Sequence, residues 1–539
     1  MLARIHSATL VGIDAVLVQV EADLANGLPG FATVGLPQGA VKEGRERVHA
    51  AITNAGFTAP LKRITVNLAP ADIKKEGSGF DLPIAVAILA ASSQVPAAAL
   101  EGMLCVGELG LEGDLRPIRG AISIAIAARQ AGLAGVILPL ANAAEAAVVQ
   151  GPPVFGATTL AAVAGHLRGA APLPRITADP AAFGDEPLLE LVDFAEVRGQ
   201  PAAKRALEIA AAGAHNVLLI GPPGAGKTML ARRLPTILPA LTLEEALEAT
   251  RIHSVAGLLG SGRPLLSRRP FRAPHHTISD AGLIGGGSTP RPGEVSLAHG
   301  GVLFLDELPE IRRHVLEVLR QPLEDGVVTL SRAAISLTYP ARFTLVAALN
   351  PCPCGQAGSP NATCRCDALT IERYLARLSG PLLDRIDIQL RVPAVAPAML
   401  AGESGEEPSG AVRARVEAAR ERQRRRYAAE PGIHANAHLG PRSLWRHCRP
   451  SPEAEALLRQ ALAQLGLSAR AYHRVLKVAR TIADLAGAEE VGSGHIAEAI
   501  QYRTLDRSAL GQAARVAAGP LAPGDPGSPL TPGRRAGVR

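Results

Sequence analysis

Aromatic residues are scarce in this chain: Phe, Trp and Tyr together make up 3% of 539 residues, with one Trp. Any core must therefore pack on aliphatic side chains and alanine. No run approaches the ~20 uninterrupted apolar residues of a membrane span, which argues against a membrane partner. Met1–Val20 lacks a signal-peptide layout, because Asp14 interrupts it and Val16, Val18 and Val20 alternate as in a strand. Cysteines are few and unevenly placed. Four lie between Cys352 and Cys366, while Cys105 and Cys448 stand alone. That is no disulfide framework, and a reduced cytoplasmic setting is expected. No internal repeat is visible. Charge is not extreme either: the net is +7 with a pI near 9.3, which fits ordinary surface charge or an anionic partner such as nucleic acid.

The chain has ample apolar material, 47% of residues, and its length calls for two or three domains. Residues 1–167 read as a mixed α/β domain, with strand-like runs at Ala15–Val20, Ile64–Leu68, Leu104–Val106 and Val136–Leu138 between helical stretches. Residues 168–190 are rich in Pro, Ala and Gly and read as a linker. Residues 191–392 form a second α/β unit whose alternating strands and helices imply a mostly parallel sheet. Residues 393–452 hold a connecting loop and an arginine-rich helix, expected to present a solvated face. Residues 453–510 read as a helical lid. The Pro/Gly-rich tail 511–539 is expected to be disordered.

Gly221-Pro222-Pro223-Gly224-Ala225-Gly226-Lys227-Thr228 lies between an apolar strand and a helix. Glycines there let the backbone wrap around phosphates, with consecutive N–H groups and a helix N-terminus aimed at the anion. Lys227 adds a charge for the outer phosphates, and Thr228 offers a hydroxyl to Mg²⁺. Val302–Leu305 then leads into Asp306 and Glu307. Asp306 suits Mg²⁺ coordination through water, and Glu307 suits orienting or deprotonating the attacking water. Asn350 ends a further apolar strand, where an amide can position that water; a plain strand-end turn is the other reading. Arg385, between Asp384 and Asp387, fits a finger delivered to a neighbouring subunit's nucleotide, an effect worth ~10³–10⁵ in rate. A surface ion pair is the alternative. ATP and Mg²⁺ are the cofactors these motifs call for.

Five runs carry a family likeness. They are Arg269-Pro-Phe-Arg-Ala-Pro-His-His-Thr-Ile-Ser279, Gly293-Glu-Val-Ser-Leu-Ala-His-Gly-Gly-Val-Leu-Phe-Leu-Asp-Glu307, Asn350-Pro-Cys-Pro-Cys-Gly355, Arg377-Leu-Ser-Gly-Pro-Leu-Leu-Asp-Arg-Ile-Asp387 and Ser468-Ala-Arg-Ala-Tyr-His-Arg-Val-Leu-Lys-Val-Ala-Arg-Thr-Ile-Ala-Asp-Leu485. Together they resemble the YifB/ComM family of Mg-chelatase-like AAA+ ATPases. The resemblance covers nearly the whole chain. It implies a cytoplasmic, hexameric ring ATPase that acts as a DNA helicase, driving branch migration when transformed DNA is recombined. It also implies an AAA+ core with a helix-2 insert, here around His275, His276 and Gly285–Gly287, and a hairpin before the Asn350 strand. Val327–Leu330 and Ile335–Tyr339 supply that hairpin, with Arg332 near its tip as the DNA contact. Arg470 looks like the sensor-2 arginine for the γ-phosphate, with Arg474 as the second choice. A chelatase-type remodeller acting through a partner subunit is the alternative function. A metal pair at His275–His276 is a minor reading, since adjacent loop histidines rarely share one ion.

Val106–Gly120 and Ala131–Pro139 resemble the proteolytic domain of Lon, and Lys75-Glu-Gly-Ser-Gly-Phe-Asp81 resembles a degenerate nucleophile loop. The serine position of the Ser–Lys dyad falls on Gly79 and the lysine position near Ile122. Ser78 is out of register, and no lysine lies between Lys75 and Lys204. Without a base the hydroxyl stays unactivated, so a pseudo-protease is expected. Cys352, Cys354, Cys364 and Cys366 either hold structural Zn²⁺ or are four free thiols.

Overall fold

A computed structural model describes residues 1–178, 192–260, 264–287, 290–332, 335–357, 364–395, 406–430, 432–465 and 468–503, without the side chains of Arg332 and Ile335. The tail 511–539 lies outside the described residues. The first unit is built on β1 (Leu2–Val11), β2 (Asp14–Ala25), β3 (Gly30–Val34), β4 (Arg63–Ala69), β5 (Met103–Cys105), β8 (Gly135–Pro139), β9 (Val154–Ala157) and β10 (Arg175–Ile176). They form one sheet in the order β10-β9-β8-β5-β1-β2-β4-β3. A short hairpin, β6 (Glu108–Leu109) and β7 (Leu115–Arg116), stands beside it. Helix Asp81–Ala91 is buried at every position: from Leu82 onward it is apolar all round and has no face to give to water, while the buried Asp81 at its start pairs with Arg47.

The second unit carries β11 (Val217–Ile220), β12 (Phe271–Arg272), β15 (Val302–Leu305), β18 (Thr344–Leu349) and β19 (Ile388–Arg391), in the order β12-β15-β18-β11-β19. All four pairings are parallel. Strands β11, β15 and β18 are buried at every residue, the signature of a parallel sheet covered on both faces. Each such aliphatic side chain contributes about 1.5–3 kcal/mol by leaving water. Two hairpins project from this frame. The small one joins β13 (Gly285–Gly286) to β14 (Arg291–Pro292), and the other joins β16 (Val327–Arg332) to β17 (Ile335–Pro340).

The helices Ser409–Arg426, Pro452–Leu465, Ala469–Ala486 and Ser493–Gln501 share one hydrophobic cluster with the strands Val217–Ile220 and Val302–Leu305, through Val412, Val416, Leu458, Val475 and Ile496. The arginine-rich helix has the expected solvated side, with Arg415, Arg422, Arg424 and Arg425 exposed, and several of its arginines also make specific pairs. Arg413 donates to the Thr236 carbonyl, Arg415 pairs with Glu208 and Glu407, and Arg422 and Arg426 both bind Asp484. Most of these arginines brace the lid against the core; Arg424 and Arg425 make only local pairs with Glu421.

Helix Leu243–Ala256 joins the two units. Its Arg251 pairs with Asp14, and its Ser254 hydroxyl donates to the buried Glu145 while accepting from the Gly120 N–H. Ile252 packs with Ile13, Leu297, Leu337 and Tyr339. The first unit thus rests against both the second α/β unit and the stem of the β16–β17 hairpin.

Candidate nucleotide site and the opposite edge of the sheet

Strand β11 ends at Ile220, and the chain then turns through the glycine-rich loop into helix Lys227–Ile237. Gly224 and Gly226 adopt φ of 76° and 84°, left-handed angles that a Cβ would strain. At Gly221 a Cβ would stand 2.2 Å from the Val392 carbonyl oxygen. The loop is glycine-rich because its backbone is both left-handed and crowded.

Around it the expected groups converge. Lys227 Nζ donates to the Gly221 and Pro222 carbonyls, at 2.6 and 3.0 Å, and to Asn350 Oδ1 at 3.0 Å. Burial lowers the Lys227 pKa, against the opposing pull of Asp306 and Glu307. The Thr228 hydroxyl donates to Asp306 Oδ2 at 2.9 Å, so the two candidate Mg²⁺ ligands already face each other. Adjacent parallel strands explain the gathering: β15 and β18 deliver Asp306, Glu307 and Asn350 to the same edge at which β11 delivers the phosphate loop.

Arg385 and Arg470 are not at that edge. Arg385 precedes β19, whose Ile388 is in register with Val217 at the start of β11, and the Asp387 N–H donates to the Asn216 carbonyl. The phosphate loop leaves the other end of β11, so four residues of strand, about 13 Å, intervene. Arg385 is almost fully buried, held by Glu324 and the Pro381 carbonyl, and neither Asp384 nor Asp387 is its partner. Arg470 pairs with Asp384 at 3.5 Å. Both arginines line a cavity of about 170 Å³ with Arg474 and Lys477. Arg470 thus lies toward the end of the sheet away from its own chain's phosphate loop. Arg474, the second choice, pairs with the buried Asp387 at 2.7 Å. Burial would raise the Asp387 pKa, but Arg474 and His215 hold it well below the usual carboxylate range. The adjacency of Asp387 to Arg385 in sequence hid this buried role, and the apolar residues flanking it, Ile386 and Ile388, were the available signal.

The four cysteine sulfurs lie within 4.8 Å of one another, with Cys352 3.4 Å from Cys354 and 3.7 Å from Cys364. Zn–S bonds of about 2.3 Å in a tetrahedron put sulfurs about 3.8 Å apart, so the thiols fit that metal. Gly355, beside them, packs so closely that a Cβ would meet Pro223 of the phosphate loop at 2.6 Å. The histidine pair forms no such group among the described residues. His275 Nδ1 engages the Thr277 hydroxyl and His276 Nδ1 faces Glu307. The side chain of Arg332 lies outside the described residues; its backbone ends β16.

In the first unit the Ser78 hydroxyl donates to Glu108, and Lys75, fully buried, donates to the Pro70 carbonyl. Ile122 is buried, with its N–H on Glu145. No hydrogen bond joins a lysine to Ser78 among the described residues.

Fold and site together define an AAA+ protein of the Mg-chelatase-like kind, with a Lon-like α/β domain before the core and a helical lid after it. Residues 193–400 match the family model described as magnesium chelatase, subunit ChlI. Residues 20–142 match that of subunit ChlI of Mg-chelatase, and residues 406–503 that of its C-terminal part. YifB of Salmonella typhimurium is 47% identical over 94% of this chain and 98% of its own length. The competence protein ComM of Haemophilus influenzae is likewise 47% identical, over 94% and 98%. The chain belongs to the YifB/ComM family. A Lon protease, Lon protease 2 of Bacillus subtilis, is 34% identical over 28% of this chain and 29% of its own. Among the described residues no helix is long and apolar enough to cross a membrane.

Proposed function

We propose that this protein is a cytoplasmic, ATP-hydrolysing DNA motor that works as a ring, most simply a hexamer, and promotes branch migration during recombination or natural transformation. The split site carries the reading. Lys227, Thr228, Asp306 and Asn350 gather at one edge of the sheet, while Arg385 and Arg470 lie at the other. A complete hydrolytic site then needs two subunits, with Arg385 and Arg470 serving the neighbour's γ-phosphate in trans. Lys227 and the loop N–H groups bind the phosphates, and Asn350 and Glu307 place the attacking water, with Glu307 as base. Thr228 and Asp306 would hold Mg²⁺, which supplies charge neutralisation between the outer phosphates. The four cysteines would hold Zn²⁺, which supplies a brace for the Asn350 loop where it touches Pro223.

DNA as the moved substrate is supported by the β16–β17 hairpin, which connects the β15 side of the site to β18, and by the printed name of the ComM relative. Nucleotide state at Asp306, Glu307 and Asn350 can shift such a hairpin, and Arg332 near its tip would hold one phosphate. The test is the ATPase rate with and without single-stranded and branched DNA. Stimulation by DNA is expected. A chelatase-type remodeller is the second reading, favoured by the ChlI models that match along the chain. Absence of any DNA effect on the ATPase would select it.

A further inference from the structure

Each arginine of the cavity at the far edge of the sheet already has a carboxylate of its own chain: Arg385 has Glu324, Arg470 has Asp384 at 3.5 Å, and Arg474 has Asp387 at 2.7 Å. Asp384 and Asp387 flank Arg385 in sequence. Glu324 comes from elsewhere, the helix Arg320–Asp325. Arg385 Nη2 binds Glu324, its Nη1 donates to the Pro381 carbonyl at 2.5 Å, and its Nε is buried with no hydrogen-bond partner among the described residues. The two partners differ in exposure, 7% for the Arg385 side chain and 55% for that of Glu324. That asymmetry sets how the pair opens. A released carboxylate at Glu324 is hydrated at once, whereas the buried guanidinium needs another anion in exchange, and its Nε is a donor still to be satisfied. A phosphate with several oxygens meets both demands.

Glu324 also stands at the root of the β16–β17 hairpin. Gly326, with φ of 67°, ends its helix, and β16 begins at the next residue. Just beyond β17 the Ala341 N–H donates to the Gly326 carbonyl at 2.8 Å, and a Cβ on Gly326 would stand 2.8 Å from Arg342 Cγ. The root is closed and crowded. Leu323, next to Glu324, and Ile386, next to Arg385, pack in one hydrophobic cluster with Val328 of the hairpin. A displacement of the hairpin therefore has a packed route to both partners of the ion pair.

We propose that Glu324 is a positioning residue for Arg385, holding the guanidinium within its own subunit and surrendering it to the neighbour's γ-phosphate when DNA displaces the hairpin. The inference rests on the reading of Arg385 as a finger acting in trans. It couples DNA at one subunit's hairpin to hydrolysis at the next subunit's nucleotide. The exchange is between two anions for one guanidinium, so the pair need only be strong enough to compete with the phosphate until the hairpin moves.

The experiment is steady-state ATPase of the full-length protein, with and without saturating single-stranded DNA. Glu324→Ala is expected to raise kcat without DNA by about three- to tenfold, the range that one partly exposed charge-assisted pair can withhold. The DNA-saturated rate stays unchanged, so the stimulation ratio falls. Glu324→Gln keeps the size and the acceptor but not the charge, and is expected to raise the basal rate by part of that factor. Mixing gives a readout that local packing would not move. Subunits carrying Lys227→Ala with Glu324→Ala cannot bind ATP but keep a finger, and Arg385→Ala subunits bind ATP but lack one. Without DNA, this mixture is expected to turn over ATP several-fold faster than the same mixture made with Lys227→Ala alone. An unchanged or lower rate, both in Glu324→Ala protein that assembles normally and in the mixture, overturns the tether. Wild-type turnover by Arg385→Ala alone would remove the finger reading and the tether with it. If Arg385→Ala is impaired and rescued by mixing while Glu324→Ala behaves as wild type, only the tether fails.

Discussion

Two glycine-rich loops with a lysine occur in this chain, one in each α/β unit, and they have opposite fates. At Gly221–Thr228 the lysine lies against an amide from a neighbouring strand, with two carboxylates and a hydroxyl close by. At Lys75–Asp81 the lysine is buried on the Pro70 carbonyl and the serine is tied to Glu108. Burial lowers the Lys75 pKa, with Asp72 opposing, but its amine donates to a carbonyl and not to Ser78. What the flanking strands bring to a lysine differs between the two loops, and at Lys227 the second sheet brings two carboxylates and an amide to one edge.

The sharpest way to break this contrast is to remove the lysine that matters. Lys227→Ala is expected to lower ATP hydrolysis by about 10²-fold or more through lost phosphate binding, measured by nucleotide titration and turnover. Glu307→Gln is expected to bind ATP and fail to hydrolyse it. Normal turnover by Glu307→Gln would remove the base from the assignment.

The split of the second site is tested by mixing. Arg385→Ala alone is expected to lose about 10³-fold in rate. Mixed with Lys227→Ala subunits, it should recover part of the activity, because some interfaces pair an intact phosphate loop with an intact finger. No recovery, where subunit exchange is demonstrated, would leave Arg385 as a structural partner of Glu324.

Zinc sharpens the comparison further, since only the second unit has a metal-shaped cluster among the described residues. Elemental analysis of protein purified without chelators should give about one Zn²⁺ per chain. Cys352→Ala together with Cys364→Ala should lower ATPase several-fold by loosening the loop that packs on Pro223. A stoichiometry near zero would leave four free thiols.

Arg332→Ala is expected to spare basal ATPase and ring assembly yet weaken DNA stimulation, with the salt slope on single strands reduced by about 0.7 per lost phosphate contact. Unchanged strand displacement would end the pore-hairpin role. The smallest effect belongs to the first unit: Ser78→Ala should leave ATPase unchanged and reveal no peptide cleavage to lose. ATP-dependent proteolysis abolished by Ser78→Ala would overturn the pseudo-protease reading.

Local patterns in the sequence determined a great deal. The phosphate loop, the Asp306–Glu307 strand end and the alternation on either side of residues 333–334 each announce themselves within a dozen residues, because backbone geometry and burial act at that range. The family motifs between Arg269 and Leu485 added the order of the parts. Long-range pairings were illegible. Arg470 reads as a ligand of its own chain's γ-phosphate, whereas the register of β11 and β19 puts it at the far end of the sheet. The arginines of Ser409–Arg426 read as a solvated face, and the pairs that Arg415 and Arg426 make with Glu208 and Asp484 were not legible. His276 and Glu307 are distant in sequence, and only the pairing of β12 with β15 brings them to 3.0 Å. A sequence specifies which side chains carry charge, hydroxyl or amide, whereas strand order decides which of them share an edge, and chemistry falls off within a few ångströms.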